Sequence, residues 1–403
     1  MNNKKKLAII GTVGLPAKYG GFETLADNLV THLSKDHDIT VYCSKKKYTK
    51  EERVEKYKGA KLKYLNLDAN GIQSIPYDTI SILHALFTSE VLLILGVSGA
   101  WILPFVRLFT NKKIIISIDG IEWKREKWNL PAKMYLRWAE KMAVQYSHID
   151  ISDNESIQDY TAMRYGTVSR VIEYGADHTL KVIPTSDDQK KYPFLIEDYA
   201  FKVCRIEPEN NVHVILEAFK KVPNKKLVVV GNWEANEYGK KLKEKYNSVH
   251  NILLFDPTYD QRSIDLLRSN AAIYIHGHSA GGTNPSLVEA MYLGLPIMAY
   301  GISYNKTTTE GKAIYFKTEE DLIHLVKNIK KDALNSLGQT MKSIAKRRYI
   351  WSLVTDKYRS LLIESLTLKS KQRIEPKAST VKPNILASFE IRHLKTTKLI
   401  FEK

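Results

Sequence analysis

A chain of 403 residues is longer than one ordinary core needs and fits two domains. Its 44% hydrophobic and 26% charged residues are those of a globular protein, and its two cysteines, Cys43 and Cys204, sit in apolar runs, which suits the cytoplasm and excludes a disulfide framework. Lys and Arg number 61 against 44 Asp and Glu, a balance of +17 that asks for a polyanionic partner, either nucleic acid or an anionic membrane face.

Lys4-Lys5-Lys6 followed by Leu7 to Ile10 has the outline of a signal peptide. Gly11, Thr12 and Gly14 break its apolar part, and an amphipathic helix over 22–33 follows, so the stretch reads as a first strand over 6–10 and a glycine loop. That loop, G-T-V-G-L-P-A-K-Y-G-G-F-E-T over 11–24, lacks the G-x-G-x-x-G spacing, and no acidic residue ends the second strand over 39–43. Both features disfavour a nicotinamide-dependent dehydrogenase. The loop still puts Lys18, Gly20, Gly21 and Glu23 at the carboxyl edge of a sheet, where doubly wound folds bind ligands; a plain structural turn is the equal alternative.

Strands over 61–65, 91–95 and 113–118 then alternate with helices over 76–87 and 100–109, which predicts a parallel sheet covered on both sides. The uncharged run 91–106 contains Gly96, Gly99 and Pro104 and is too short to span a bilayer. Asp119-Gly120-Ile121-Glu122-Trp123-Lys124-Arg125 places two carboxylates, Asp119 and Glu122, just past a strand end, a position for catalytic groups and equally for an Asp-Gly turn. The segment 123–141 interleaves Trp123, Trp128, Tyr135 and Trp138 with Lys124, Arg125, Lys127, Lys133, Arg137 and Lys141. It fits a helix on an anionic membrane face, a stacking surface for nucleic acid, or a half-buried helix with a solvated basic side. Elements over 148–151, 154–163 and 169–173 complete the first half, and 178–198, polar with Pro184 and Pro193, reads as a linker.

The pattern restarts with strands over 201–206, 226–230 and 252–255 and helices over 212–221, 237–246 and 261–268. Arg205, at a strand end, can clamp phosphate oxygens or pair with Glu207 or Glu209 on the surface. After a strand over 271–275 comes H-G-H-S-A-G-G-T-N-P-S-L-V-E-A-M, residues 276–291. Glycines that admit close backbone approach, followed by a helix start at Pro285, suit a diphosphate, and Glu289 lies about one turn in, placed to accept bonds from sugar hydroxyls. Gly281, Gly282, Thr283, Asn284, His278 and Glu289 are therefore the donor-binding candidates. His276 and His278 are a weak metal pair, and there is no P-loop or nucleophile elbow. A strand over 314–316 and two helices over 319–347 finish this half, and the basic, proline-interrupted 369–403 is expected to be peripheral.

Arg205 in R-I-E-P-E-N-N-V, Glu289 in G-G-T-N-P-S-L-V-E-A-M and Trp351 opening a late helix together resemble the family-4 glycosyltransferases of GT-B fold. L-P-A-K-Y-G-G-F-E-T and D-G-I-E-W-K-R are similar to the bacterial branch that builds capsule and cell-wall polysaccharide, in which rhamnosyltransferases are prominent. The resemblance implies an α/β fold with two Rossmann-like domains facing each other across a cleft. They are an acceptor domain over 1–180 and a donor domain over 199–350, with a helix over 351–368 packing back on the first. It further implies a nucleotide-sugar donor, dTDP-L-rhamnose foremost, and a polyprenyl-diphosphate-linked sugar acceptor. Retention, no metal or other cofactor, and a cytoplasmic enzyme peripheral on the inner face of the plasma membrane also follow.

Two residues depart from the family pattern: Gly281 stands where its first glutamate belongs, and Asn210 replaces the lysine that helps hold the diphosphate. Arg205 and the loop amides, with Lys18 or Lys306, are then left to neutralise the leaving group, and Asp119 and Glu122 to orient the acceptor or stabilise the donor ring. Two other functions compete: a nucleotide-sugar 2-epimerase of the same fold, and a non-catalytic nucleotide- or nucleic-acid-binding protein. Docking on anionic lipid accounts for the +17 charge more simply than a specific nucleic acid does.

Overall fold

The computed structural model describes residues 4–18, 20–118, 120–125 and 127–371, with two short strands at 376–377 and 398–399. Most of the basic tail 369–403 lies outside the described residues. The chain divides into two compact units, Met1–Glu173 with Ser352–Lys403, and Tyr174–Trp351.

In the first unit the strands are β1 (Lys5–Ile10), β2 (His37–Ser44), β3 (Lys56–Tyr57), β4 (Ala60–Leu65), β5 (Val91–Leu95), β6 (Lys113–Ser117), β7 (Ile149–Ser152) and β8 (Arg170–Val171). They form one sheet in the order β3-β4-β2-β1-β5-β6-β7-β8, parallel except where β3 pairs with β4. Both faces are covered, which is why β1, β5 and β6 read as unbroken apolar runs. The helices are α1 (Gly21–Leu33), α2 (Ser74–Thr88), α3 (Leu103–Phe109), α4 (Leu130–Tyr146) and α5 (Glu155–Tyr165). The connection from β1 to β2 steps one way across the sheet, and those from β4 to β5, β6, β7 and β8 step the other way. Right-handed crossovers therefore put α1 on one face and α2 to α5 on the opposite face. The core agrees: Ala8, Ile10, Leu92, Ile94, Ile114 and Ile116, alternate residues of three strands, pack under α2, α4 and α5.

The basic, aromatic segment expected as one helix over 123–141 is two elements. A 3-10 turn covers Glu122–Lys124, and α4 starts only at Leu130, after Asn129 caps its Ala132 N–H at 3.1 Å. Asn followed by Pro131 in the first turn is a helix start signal, so the break was visible in the sequence.

In the second unit 178–198, expected as a linker, is built into the fold. It holds helix α6 (Ser186–Lys191), closed by a Thr185/Asp188 capping box, and Arg262 bonds Asp188 with both guanidinium nitrogens at 3.0 and 2.7 Å. Strands β9 (Tyr199–Val203), β10 (Lys226–Val230), β11 (Ile252–Phe255), β12 (Ile273–His276), β13 (Ile297–Tyr300) and β14 (Ile314–Phe316) form a parallel sheet in the order β11-β10-β9-β12-β13-β14. Between them run α7 (Val212–Lys220), α8 (Glu237–Tyr246), α9 (Gln261–Ser269), α10 (Pro285–Tyr292), α11 (Ser303–Thr308), α12 (Glu319–Asn328) and α13 (Lys331–Arg348). The chain winds outward from β9 to β11 and then returns to β12 beside β9. That reversal is a topological switch point, where open α/β sheets leave a crevice beyond the strand ends. Helix α14 (Trp351–Thr367) follows; beyond Trp351 it belongs with the first unit, where Lys357 reaches Glu173 at 2.6 Å and Arg170 reaches Glu364 at 2.6 Å.

Candidate functional site

The switch point brings two loops side by side. The loop after β9 carries Arg205, and the glycine loop after β12 runs from Gly277 to Asn284. Glu209 C=O accepts from Ser279 N–H at 2.8 Å and from its hydroxyl at 2.9 Å, and the Asn211 amide donates to Gly277 C=O at 2.8 Å. Gly277 has to be glycine, because a Cβ there would stand 2.3 Å from Asn210 O. From the other side, Asn305 of α11 donates to His278 C=O at 2.9 Å, and the Tyr304 hydroxyl donates to Ser279 C=O. Asn284 then caps α10 through Ser286 N–H at 3.0 Å, so the loop ends in a helix start.

Arg205 lies just beyond β9 with its side chain 41% exposed, its Nε 3.8 Å from the Glu207 carboxylate. That loose pair leaves the guanidinium largely open to solvent, on the loop that leaves β9 at the switch point. Glu289 is held more tightly. Its side chain is 14% exposed, with Arg268 of α9 at 2.7 Å on one oxygen and His178 Nε2 at 3.3 Å from the other. His178 Nδ1 accepts from Trp351 Nε1 at 3.0 Å, which places the ring proton on Nε2, toward Glu289. Arg268 also faces Asp265 at 3.5 Å, and Asp265 accepts from Leu180 N–H at 2.9 Å. Burial raises the Glu289 carboxyl, but Arg268 and then His178 outweigh it, so the group is held below the usual carboxylate range and stays ionised.

Asn210 and Gly281 meet at one histidine. Asn210 donates to Arg205 C=O at 2.9 Å and presents its Oδ1 to His278 Nδ1 at 3.0 Å. Gly281 sits at φ +126°, and a Cβ there would lie 2.8 Å from His278 Nε2. Neither conformation nor space admits a glutamate at 281 while His278 holds this rotamer, in which its ring meets Asn210 Oδ1 and the rings of His276 and Tyr304. Gly282 and Thr283 are buried in the same turn.

In the first unit, Asp119 lies outside the described residues. Glu122 is gripped within its own motif by Arg125 at 2.8 Å, Lys127 at 3.1 Å and Trp128 Nε1 at 3.0 Å. Burial raises its carboxyl, and Arg125 and Lys127 more than reverse that, so it is a fixed anion rather than a proton carrier. Glu23 is buried, its Oε1 accepting from Val13 N–H at 2.6 Å, and Gly20, at φ +121°, lies against its carboxylate. Gly21 opens α1. Lys18 lies over the Tyr48 ring and pairs with Glu52 at 2.7 Å, and Lys306 lies over the Tyr315 ring. Among the described residues no group of three or more His, Cys, Asp or Glu is placed to hold a metal ion.

Arg268, His178, Tyr304 and Asn305 are the residues that sequence reasoning missed. The first two were hidden in an ordinary amphipathic helix and in a polar stretch taken for a linker; the others sit on a helix of six residues with no apolar period.

Residues 185–348 match the family model of glycosyl transferases group 1. Residues 4–177 match a domain of unknown function, DUF1972, and no curated protein matches the chain. Similar solved structures include sucrose-phosphate synthase from Thermosynechococcus elongatus, 15% identical, covering 90% of this chain and 99% of that one with a TM-score of 0.76. The Anabaena protein HepE in complex with UDP-glucose is 14% identical over 90% and 100%, with a TM-score of 0.71. The catalytic domain of starch synthase IV from Arabidopsis thaliana, bound to ADP and acarbose, is 12% identical over 91% and 100%, with a TM-score of 0.69. The fold is GT-B, and the group 1 domain within it supports a glycosyltransferase.

Proposed function

We propose that the chain is a retaining, metal-independent glycosyltransferase that moves a hexose from a nucleotide sugar to a polyprenyl-diphosphate-linked sugar in capsule or cell-wall polysaccharide synthesis. The donor is dTDP-L-rhamnose, and the enzyme works on the cytoplasmic face of the plasma membrane. The observation that carries this reading is the joining of the loop that carries Arg205 to the glycine loop that leads into the α10 start, at the β9/β12 switch point. Similar folds that hold UDP-glucose or ADP support a nucleotide donor. The motifs around Lys18 and Glu122 support the rhamnosyl branch.

As the bond from the anomeric carbon to the diphosphate breaks, its electron pair goes to the diphosphate oxygen. Arg205 and the peptide N–H groups of Gly281, Gly282 and Thr283 meet that charge. The acceptor hydroxyl bonds to the same face of the sugar and passes its proton to the departing oxygen, so the protein need supply no base. Glu289, fixed as an anion, accepts from the ribose hydroxyls, and His278 faces the donor sugar where the family has a glutamate. Asp119, Glu122 and the loop of Lys18, Gly20, Gly21 and Glu23 orient the acceptor.

The test is Arg205→Ala, assayed with dTDP-L-rhamnose, UDP-hexoses and membranes loaded with lipid-linked monosaccharide. The exposed side chain predicts an unchanged melting temperature and turnover reduced by about 10²–10³-fold. Turnover equal to wild type overturns the role of Arg205. Transfer from a UDP-sugar in preference to dTDP-L-rhamnose overturns the donor, and conversion of the donor without any acceptor points to an epimerase.

A further inference from the structure

Single exposed apolar side chains are ordinary on a protein surface; rows of them on neighbouring helices are not. On α2, Ile80, Leu83 and Phe87 follow one another at helical spacing on the solvent side, and Phe87 is 88% exposed. On α3, Phe105, Leu108 and Phe109 do the same, the last two 75% and 73% exposed. On α4, Met134 and Trp138 continue the pattern, four residues apart. The topology puts the three helices on one face of the first sheet, and local bonds fix them as neighbours. Trp101, in the turn before α3, donates to Thr79 of α2 at 2.9 Å, and Tyr135 of α4 donates to Ser98 C=O, just ahead of that turn, at 2.6 Å.

The charges on this face are mostly positive. The three helices contain two carboxylates, Asp78 and Glu140, and both are buried. Arg137 and Lys141 are exposed beside Trp138, and Phe87 shares a shallow depression with Lys4, Lys5, Lys6, Lys112 and Glu90, whose carboxylate pairs with Lys5 at 3.2 Å. A protein partner of ordinary composition would meet apolar rows bordered by a clear excess of cations over the one carboxylate, Glu90. A surface with an apolar interior and anionic headgroups matches both features at once. No described helix is long and apolar enough to cross a bilayer, so the match is to a surface rather than a span.

We infer that the α2–α3–α4 face of the first unit inserts into the headgroup region of an anionic phospholipid bilayer, with Phe87, Leu108, Phe109 and Trp138 below the phosphates and Lys112, Arg137 and Lys141 among them. This deepens the reading of a lipid-linked acceptor and changes the expected physics. Binding by charge alone disappears in salt, whereas apolar insertion leaves a residue that salt does not remove.

The experiment is co-sedimentation of the full chain with phosphatidylcholine vesicles, with and without about 30% phosphatidylglycerol, at low salt and at about 0.5 M NaCl. Binding is expected to the anionic vesicles, to weaken at least about tenfold in pure phosphatidylcholine, and to persist in part at high salt. The double variant L108E/F109E is expected to bind at least about tenfold more weakly, with an unchanged melting temperature and unchanged sugar transfer to a detergent-solubilised acceptor. Absence of binding to anionic vesicles, or wild-type binding by the variant, overturns the inference. So does a concentration-dependent dimer that L108E/F109E dissociates without changing vesicle binding, which assigns the face to a second copy. Vesicle binding with no transfer from any donor leaves the inference standing and removes the proposed function instead.

Discussion

Each unit begins its switch point with the same device, a strand, a glycine loop and a helix bearing a glutamate, yet the two loops are held in different ways. In the first, the glutamate turns back on its own loop: Glu23, in the first turn of α1, accepts from Val13 N–H at 2.6 Å, ten residues earlier. In the second, the glutamate and the loop are held by remote segments. Arg268 and His178 grip Glu289, while Glu209, Asn211 and Asn305 bracket 277–279. The first loop is also met by remote segments, with Ser44 N–H on Val13 C=O at 2.8 Å and the Tyr77 and Tyr48 hydroxyls on Thr12 and Pro16 C=O at 2.9 and 3.0 Å, so the contrast lies in the glutamates: one bonds its own loop, the other an arginine and a histidine from distant segments.

The strongest way to break that contrast is Arg268→Ala. It leaves a buried carboxylate without its cation, and breaking such a pair costs about 3–5 kcal/mol. Denaturant unfolding should show that loss, and Arg268→Met with Glu289→Leu should recover most of it, because a well-packed apolar pair replaces a buried ion pair at little cost.

Next in size come the glycines. Gly20→Ala puts a Cβ 1.9 Å from Glu23 Oε2 at φ +121°, and Gly281→Ala puts one 2.8 Å from His278 Nε2 at φ +126°. Both conformations disfavour any side chain, so each change should cost about 1–3 kcal/mol in stability. Partial rescue should be specific: Glu23→Ala relieves the first and His278→Ala the second, and a double-mutant cycle measures each coupling. Equal rescue by either partner would erase the distinction between the loops.

These details show what could be read from the sequence and what could not. Alternation of apolar runs with amphipathic helices predicts both parallel sheets, and the spacing of Gly281, Gly282, Asn284 and Pro285 predicts a loop ending in a helix start. The strand β13 and helix α11 went unrecognised: Ile297–Tyr300 is a short apolar run directly after Gly294-Leu295-Pro296, and length alone does not separate such a run from the tail of the preceding helix. Arg268 was illegible for a different reason. A basic residue in the last turn of a helix normally faces water and the helix dipole, and only the packing of α9 turns this one inward onto Glu289. The link between Asn210 and Gly281 was equally invisible, because it runs through the rotamer of His278.

Acid and base separate the units more gently. Glu289, held below its ordinary 4.5 by Arg268 and His178 despite its burial, stabilises the second unit above that value, and the contribution is lost as pH falls through the lowered folded value. Asp78 on α2 behaves oppositely. Burial pushes it from 3.8 to about 8, against a bond from Gly99, so its protonated form is the one the fold prefers, and stability falls as pH rises from about 4 toward 8. It neighbours Tyr77, whose hydroxyl donates to Thr12 C=O in the first loop at 2.9 Å. Asp78→Asn should therefore raise the melting temperature by a few degrees near pH 8 and by less near pH 5, whereas Glu289→Gln should flatten the acid limb alone. Parallel pH curves for wild type and Asp78→Asn would remove the buried-acid account.

The smallest effect sharpens the contrast most, because it separates stability from function within the first loop. Lys18 and Glu52 are 2.7 Å apart, with side chains 46% and 41% exposed, and a pair so wet contributes little to stability. Lys18→Ala should thus leave unfolding unchanged. If Lys18 meets a phosphate of either substrate, the same variant raises the KM for that substrate several-fold and makes it less dependent on salt, since the lost interaction is a long-range one with a mobile anion. If the ion pair with Glu52 is all that Lys18 does, both KM values stay where they are. Glu23, Ser44 and Tyr77 would then hold that loop, and Lys18 would take no part in ligand binding.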